Sequence, residues 1–312
     1  RTLTLTPNYG LITYAASIVS FMTPLMRLGL NSILVQELTT DEKNEAKILG
    51  TTLGMTIPSG LLSALMVIGF VSVINKGEPV TIIVCAISSV SLIFQAAEMI
   101  TYWYQAHLLA KYPSIAMICG YVVIWIYKIY LLVTGKSVYW FAASNAIDHL
   151  VIGLILIILY LSIGKHKLQF SLHIAKKLFG KSKYYIVSGM MITVLQQTDK
   201  LMLKNMIGDQ VTGYYSAAVA CAGIFGFVYA AFVDSMRPEI FRSQKISNEK
   251  YEHSISCTYA IIFYVSLLQC VFTTVLARPV ILLLYGEEYL PAVPLLRVVV
   301  WYITYAYFGT IR

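Results

Sequence analysis

Amides, hydroxyls and charges interrupt the apolar runs of this sequence at helical intervals. Between residues 81 and 105, Ser88, Ser91, Gln95, Glu98, Tyr102 and Gln105 fall within an arc of about 100° when wound at about 100° per residue. Between 11 and 34, Thr13, Ser17, Ser20, Thr23, Arg27 and Asn31 do the same. Between 184 and 207, Thr193, Gln196, Gln197, Lys200 and Lys204 share one face, with Asp199 beside it, and Tyr121, Trp125 and Lys128 align between 113 and 134. Helices that are apolar outside and wet along one side enclose a hydrated cavity. Its cations would pair an anionic group, and its amides and hydroxyls would exchange hydrogen bonds with a hydroxylated one.

Depth refines this picture. At a rise of about 1.5 Å per residue, Arg27 and Glu98 lie roughly 7 Å to one side of their helix midpoints. Lys128 and Asp148 lie roughly 6–8 Å to the other side, so each couple is expected to form an ion pair. Lys200, Lys204 and Arg297 fall in the outer half of the later helices with only Asp199 nearby, so that part of the cavity is expected to be net positive. Intramembrane charge of this kind is functional by default. A lone Ser or Thr more often bonds its own backbone, and Lys204, Asp234 and Arg237, near helix ends, can reach water by snorkelling.

The motifs of soluble enzymes fail. Gly135-Lys-Ser and Gly180-Lys-Ser resemble the ends of phosphate-binding loops, but Tyr130 and Ala175 stand where the first glycine is required. His107, His149, His166, His173 and His253 have no metal-ligand spacing. The five cysteines lie in apolar segments and form no CxxC pair. The expectation is a protein that is no enzyme and holds no cofactor or metal.

The elements that position these residues are long. The 312-residue chain is 58% hydrophobic and 12% charged, against roughly 25% charged in soluble domains, and its mean hydropathy is +0.72. Apolar stretches at about 11–34, 51–74, 81–105, 113–134, 140–164, 184–207, 214–236, 253–284 and 291–312 each approach the roughly 20 residues that span a bilayer. An all-α polytopic membrane protein with about nine transmembrane helices is therefore expected. Basic residues alternate between the loops. One set carries Lys43, Lys47, Lys111, Lys165, Lys167, Lys176, Lys177, Lys181, Lys183, Arg237, Arg242, Lys245 and Lys250, whereas the other carries only Arg1, Lys76 and Lys136, with Arg278 ambiguous. By the positive-inside rule the first set is cytoplasmic, and the +8 net charge marks a membrane topology rather than nucleic-acid binding. Residues 165–183 look like a basic, amphipathic cytoplasmic connection between a first bundle, 1–164, and a second, 184–312. A faint repeat, Gly10-Leu-Ile-Thr13-Tyr-Ala15 against Gly213-Tyr-Tyr-Ser216-Ala217, supports two halves in series.

Several segments resemble a known family. Asn8-Tyr9-Gly10 through Arg27-Leu-Gly29-Leu30 and Val35-Gln-Glu37-Leu38, Phe94-Gln95 through Tyr104-Gln105-Ala106, Thr198-Asp199-Lys200-Leu-Met-Leu203, Gly213-Tyr-Tyr-Ser-Ala217, and Leu284-Tyr285-Gly286-Glu-Glu288-Tyr289 before Leu295-Leu-Arg297 follow one another in family order. They are similar to the polysaccharide transporters of the multidrug/oligosaccharidyl-lipid/polysaccharide exporter superfamily, in particular its O-antigen flippase (Wzx) group. The resemblance implies two bundles around a central cavity opening alternately to each side, 12–14 helices in the whole protein, and helices lying outside the sequence at both ends. It implies a multi-pass protein of the bacterial inner membrane, in the synthesis of O-antigen, capsule or exopolysaccharide. The implied substrate is an undecaprenyl-diphosphate-linked oligosaccharide, and the implied partners are the polymerase and chain-length regulator of the same pathway. The expected cavity residues are Arg27, Gln95, Glu98, Lys128, Asp148, Gln196, Gln197, Asp199, Lys200, Lys204 and Arg297. A proton or sodium gradient is the expected driving force, with Glu98, Asp148 and Asp199 as candidate carriers. The alternatives are a lipid II or drug exporter of the same superfamily, whose organic-cation members should have an acidic cavity, and a membrane-embedded glycosyltransferase or polymerase, which would need longer outer loops.

Overall fold

A computed structural model describes residues 5–163, 168–224, 226, 232 and 248–307 of the chain. Among the described residues all regular structure is helical. The helices are α1 Leu5–Met26, α2 Leu34–Thr40, α3 Glu45–Ile74, α4 Pro79–Ala106, α5 Lys111–Thr134, α6 Val138–Ile163, α7 Leu172–Met206, α8 Asp209–Ala222, α9 Asn248–Tyr285 and α10 Ala292–Tyr307. Among the described residues six helical spans are long and apolar enough to cross a bilayer: Asn8–Met26, Glu45–Ile74, Pro79–Ala106, Lys111–Thr134, Val138–Ile163 and Glu252–Tyr285. The protein is an all-α, multi-pass membrane protein. Its apolar faces are turned outward in bands, such as Leu61, Leu62, Leu65 and Phe70 on α3 and Ile118, Val122, Ile126 and Val133 on α5, all exposed. In water such bands would be unstable; hydrocarbon is their natural solvent.

Six is fewer than the nine stretches read from the sequence, and the differences have physical reasons. The stretch 214–236 lies partly outside the described residues, as does 291–312, of which Ala292–Tyr302 forms a short apolar helix. The stretch 184–207 belongs to α7, too polar by composition because of Gln196-Gln197-Thr198-Asp199-Lys200. Packing supplies what composition withholds. A Cβ on Gly189 would lie 3.0 Å from Pro24, a Cβ on Gly29 2.6 Å from the Ser182 carbonyl, and the Lys204 ammonium sits 6.0 Å from the Tyr14 ring centre. Helix α7 therefore runs antiparallel to the segment Tyr14–Gly29 and traverses the same depth.

Two compact units are formed, one of Leu11–Met206 and the other of Arg1–Gly10 with Ile207–Arg312. The division expected from the sequence assigned 184–207 to a second bundle, whereas α7 packs within the larger unit. The expected connection 165–183 is only partly a loop. Residues 168–171 are pinned to the start of α3, with Gln169 N–H donating to the Ala46 carbonyl at 3.2 Å and Ser171 N–H to Thr51 Oγ1 at 3.0 Å. Helix α7 begins immediately after.

The larger unit has two apolar clusters stacked along the helices. One gathers Leu30, Leu34, Leu49, Met99, Ile100, Trp103, Leu156 and Leu178; the other gathers Tyr14, Ile18, Met26, Val67, Val84, Leu92, Ala96 and Ala142. In the smaller unit, Ala217, Ala218, Cys270, Ala277, Ile281 and Leu296 form the core. Tyr9 meets Tyr285 and Tyr289 there with ring centres 6.0 and 6.2 Å apart. The two glycines of the faint repeat meet as well: a Cβ on Gly10 would overlap the Asp209 carbonyl and come within 2.9 Å of the Gly213 nitrogen.

Candidate functional site

One spanning helix ends where a second is interrupted. Helix α1 ends at Met26; Leu28 and Gly29 follow with φ of 51° and 64°, and a short 3₁₀ turn, Leu30–Ser32, precedes α2. Helix α4 tightens into a 3₁₀ turn at Ala96–Ile100 before resuming as an α-helix at Thr101. Breaks of this kind inside a membrane occur where backbone is buried in protein or lines a cavity, and mid-helix 3₁₀ turns mark hinges. Arg27 follows the last residue of one helix, and Glu98 sits within the break of the other. Both lie at the junction of the two apolar clusters, since Met26 and Ala96 belong to one cluster and Leu30 and Met99 to the other.

A polar chain runs through this junction across three helices. Arg27 Nη2 lies 4.0 Å from Glu98 Oε2, the pairing expected from depth. Glu98 Oε1 is 2.6 Å from His149 Nδ1 on α6. A carboxylate only accepts, so the ring N–H donates. His149 Nε2 in turn lies 3.2 Å from Gln95 Nε2, whose amide N–H donates to it. The Arg27 Nε–H is buried without a hydrogen-bond partner. Beside the chain is a cavity of about 200 Å³ lined by Arg27, Glu98, Met99, Thr101, Tyr102, Gln105 and Met117. It thus presents one guanidinium, one carboxylate, two hydroxyls and an amide between two thioethers. His149 is the member that sequence reasoning missed. Its signal was present: it lies next to Asp148, on a helix adjacent to α4, in a span otherwise almost without charge.

The other expected couple is not joined. No ion pair within 4.0 Å links Lys128 and Asp148 among the described residues. Tyr127 Oη donates to the Trp140 carbonyl at 3.4 Å, which sets Lys128 level with the start of α6. Asp148 lies instead at Gly120, where a Cβ would be 3.6 Å from its Oδ1. Equal distance from helix midpoints did not mean equal height, because the two helices are offset in register. Asp148 Oδ1 is buried without a hydrogen-bond partner. Tyr121 and Trp125, the aromatic neighbours of Lys128 on its stripe, lie exposed on α5. Most stripe hydroxyls serve their own helix: Ser17, Ser20 and Thr23 donate to carbonyls four residues back at 2.9, 2.8 and 3.2 Å.

Helix α7 carries the remaining candidates. Lys200 Nζ donates to Gln197 Oε1 at 3.3 Å, and Asp199 Oδ1 accepts from the Lys200 backbone at 2.7 Å, while Gln196 is exposed. Lys204 departs from expectation. Its side chain is 5% exposed and its ammonium is 3.0 Å from Glu78 Oε2, at the entrance of α4. The hydroxyl of Thr81, then Lys204, hold the Glu78 carboxyl below its ordinary value despite some burial. Asn75 joins the group, accepting from Tyr14 Oη at 2.9 Å. Arg297 is exposed on α10, in the smaller unit, whereas Lys200 is in the larger.

The opposite end of α7 is tied as well. Lys177 Nζ is 2.7 Å from Glu37 Oε2, and Lys181 pairs Oε1 of the same carboxylate. Burial pushes Glu37 up, but Lys177 and then Lys181 outweigh it and hold the carboxyl below its ordinary value. Nearby, Glu45 accepts from Trp103 Nε1 at 3.0 Å and lies 3.1 Å from His107 Nε2. Among the described residues no group of His, Cys, Asp and Glu could hold a metal ion.

No curated protein and no solved structure matches the chain. Residues 3–294 match a family described as polysaccharide biosynthesis protein, which covers nearly the whole sequence. A membrane-spanning helical unit with a polar chain at its helix breaks is thus joined to a sequence-wide family match, and the chain belongs to the polysaccharide biosynthesis protein family.

Proposed function

We propose that this protein is a flippase that moves an undecaprenyl-diphosphate-linked oligosaccharide across the bacterial inner membrane by alternating access. The observation that carries the reading is the polar chain Gln95–His149–Glu98–Arg27 beside a cavity, where one spanning helix ends and a second is interrupted inside a unit whose outer faces are apolar. A diphosphate and its sugars cannot enter hydrocarbon without large desolvation cost. Arg27 offers a guanidinium whose Nε–H is unengaged, the geometry that suits a phosphate. Thr101, Tyr102 and Gln105 offer hydrogen bonds to sugar hydroxyls, and the prenyl chain remains in lipid. The substrate changes sides with no bond made or broken, so no catalytic residue or cofactor is required. An ion gradient or removal of product supplies direction, with Glu98, Asp148 and Asp199 as carriers. The polymerase and chain-length regulator of an O-antigen, capsule or exopolysaccharide pathway would receive the product. Lys200, on α7 of the same unit, adds a further positive charge.

The test is charge at Arg27. Arg27→Glu should reduce surface polysaccharide to roughly a tenth or less, the effect of about 1.4 kcal/mol of lost binding, while membrane abundance stays near normal. Arg27→Lys should retain part of it. Lipid-linked oligosaccharide should accumulate in the cytoplasmic leaflet, read by its accessibility to an impermeant glycosidase in everted vesicles. Normal export by Arg27→Glu would refute the reading.

A further inference from the structure

The surface from Leu168 to Tyr184 is not a free loop but a structured face held at a fixed height. Its hydrogen bonds to Ala46 and Thr51 fall within the first turns of α3, a spanning helix that begins at Glu45. Ala175, Leu178 and Ser182 form its buried stripe. On the outward side, Phe170, Leu172, Phe179 and Tyr184 are exposed together with Lys176 and Lys183. Exposed Lys43, Lys47 and Lys111 stand at the same end, beside the starts of α3 and α5. The buried acids of this end are already engaged: Glu37 by Lys177 and Lys181, Glu45 by Trp103 and His107. Lys176 and Lys183 form no ion pair within 4.0 Å among the described residues. The face is therefore both apolar and net positive, with Asp41 the one further described acid beside it, at the depth where spanning helices begin.

We propose that this face is a binding surface for anionic phospholipid headgroups of the adjacent leaflet. Aromatic and leucine side chains enter the acyl boundary there, while lysine stems lie along it and hold their ammonium groups against phosphates. Charge complementarity favours a lipid over a protein partner, as does the fixed height of the face. The inference rests on the membrane character of the chain and is independent of what is transported.

The test uses the full-length protein purified in neutral detergent and titrated with phosphatidylglycerol, read by its thermal unfolding midpoint. Stabilisation should saturate, and 0.5 M salt should weaken it. Lys176→Gln/Lys183→Gln removes two charges that tie no acid in the fold, and should shift the titration midpoint roughly 25-fold to higher lipid, about fivefold per lysine near an anionic surface. Lys136→Gln, at the opposite end of α5, should leave it unchanged. An equal response to phosphatidylcholine would show that charge plays no part and overturn the proposal. So would an equal response to inorganic phosphate, an unshifted double variant, or an equal shift in Lys136→Gln. A dimer mass that persists in every lipid and is lost in the double variant would assign the face to a second copy and overturn it as well.

Discussion

At the residue scale, His149 is the middle link of the polar chain beside the cavity. It takes one oxygen of Glu98, leaving the other toward Arg27. Without the imidazole, the half-buried Glu98 carboxylate loses its charge-assisted hydrogen bond. His149→Phe should cost about 2 kcal/mol of stability, measured by thermal unfolding in detergent. Glu98→Gln in the same protein should recover most of that loss, because the stranded charge is gone; additive losses would separate the two residues. A sequence reading of His149 by metal-ligand spacing alone passed over it, since its partners are a carboxylate and an amide on another helix, 51 and 54 positions away. The Arg27–Glu98 pair was legible because both lie on polar stripes at similar depth. Lys128–Asp148 looked equally legible and is not made, because helix register is a property of packing that neither stripe encodes.

At the element scale, the junctions matter more than the spans. Gly29 has φ +64°, and a Cβ there would stand 2.6 Å from the Ser182 carbonyl and 2.9 Å from the Ile186 nitrogen. Gly29→Ala combines a left-handed backbone with a collision against α7 and should cost about 2–4 kcal/mol, seen as reduced membrane abundance and a lower unfolding temperature. Gly69→Ala, where a Cβ meets nothing within 4 Å, should be neutral or slightly stabilising. The tie of α7 to Glu37 has a pH signature. Because the folded carboxyl titrates below its ordinary 4.5, its contribution is present above pH 4.5 and is lost as pH falls through the lower folded value. Glu37→Gln should therefore be less stable at pH 7 by about 1–2 kcal/mol, the modest figure reflecting lysines that reach water. The gap should close on acidification. Apolar runs announced these helices; the break in α4 was hidden because Ala96–Ile100 are ordinary helix formers, whereas Gly29 stood in the sequence inside a run read as one continuous span.

At the scale of the whole molecule, the alternation of basic residues and the folded ends of the larger unit agree. Asn75, Glu78 and Lys204 gather at one end, and Glu37, Glu45, Lys177 and Lys181 at the other. Cysteines introduced at Lys76 and Gln169 in a background lacking the native five should therefore report opposite sides of the membrane. An impermeant maleimide should label Lys76→Cys in intact cells and Gln169→Cys only after permeabilisation. Labelling of Gln169→Cys in intact cells would reverse the orientation. The helical, membrane-embedded class was legible from composition alone. The membership of α7 was not, because the basic stretch 165–183 read as a connection between two bundles and so put 184–207 with the later helices, whereas its side-by-side packing on α1 places it in the larger unit.

The two fastenings of α7 also give the protein a ruler. Lys181 and Lys204 are separated by 23 positions on one uninterrupted helix, about 35 Å at helical rise. That distance just exceeds the roughly 30 Å of hydrocarbon in a typical bilayer. Upright in such a bilayer, the helix would set both charged knots just outside the oil, one at each boundary, as a stiff rod holding them apart. A thinner or thicker bilayer must tilt the rod, deform around it or draw a knot toward hydrocarbon, each at some energetic cost. Membrane thickness thus becomes a mechanical load on the ion pairs that hold α7 against the cavity-bearing helices.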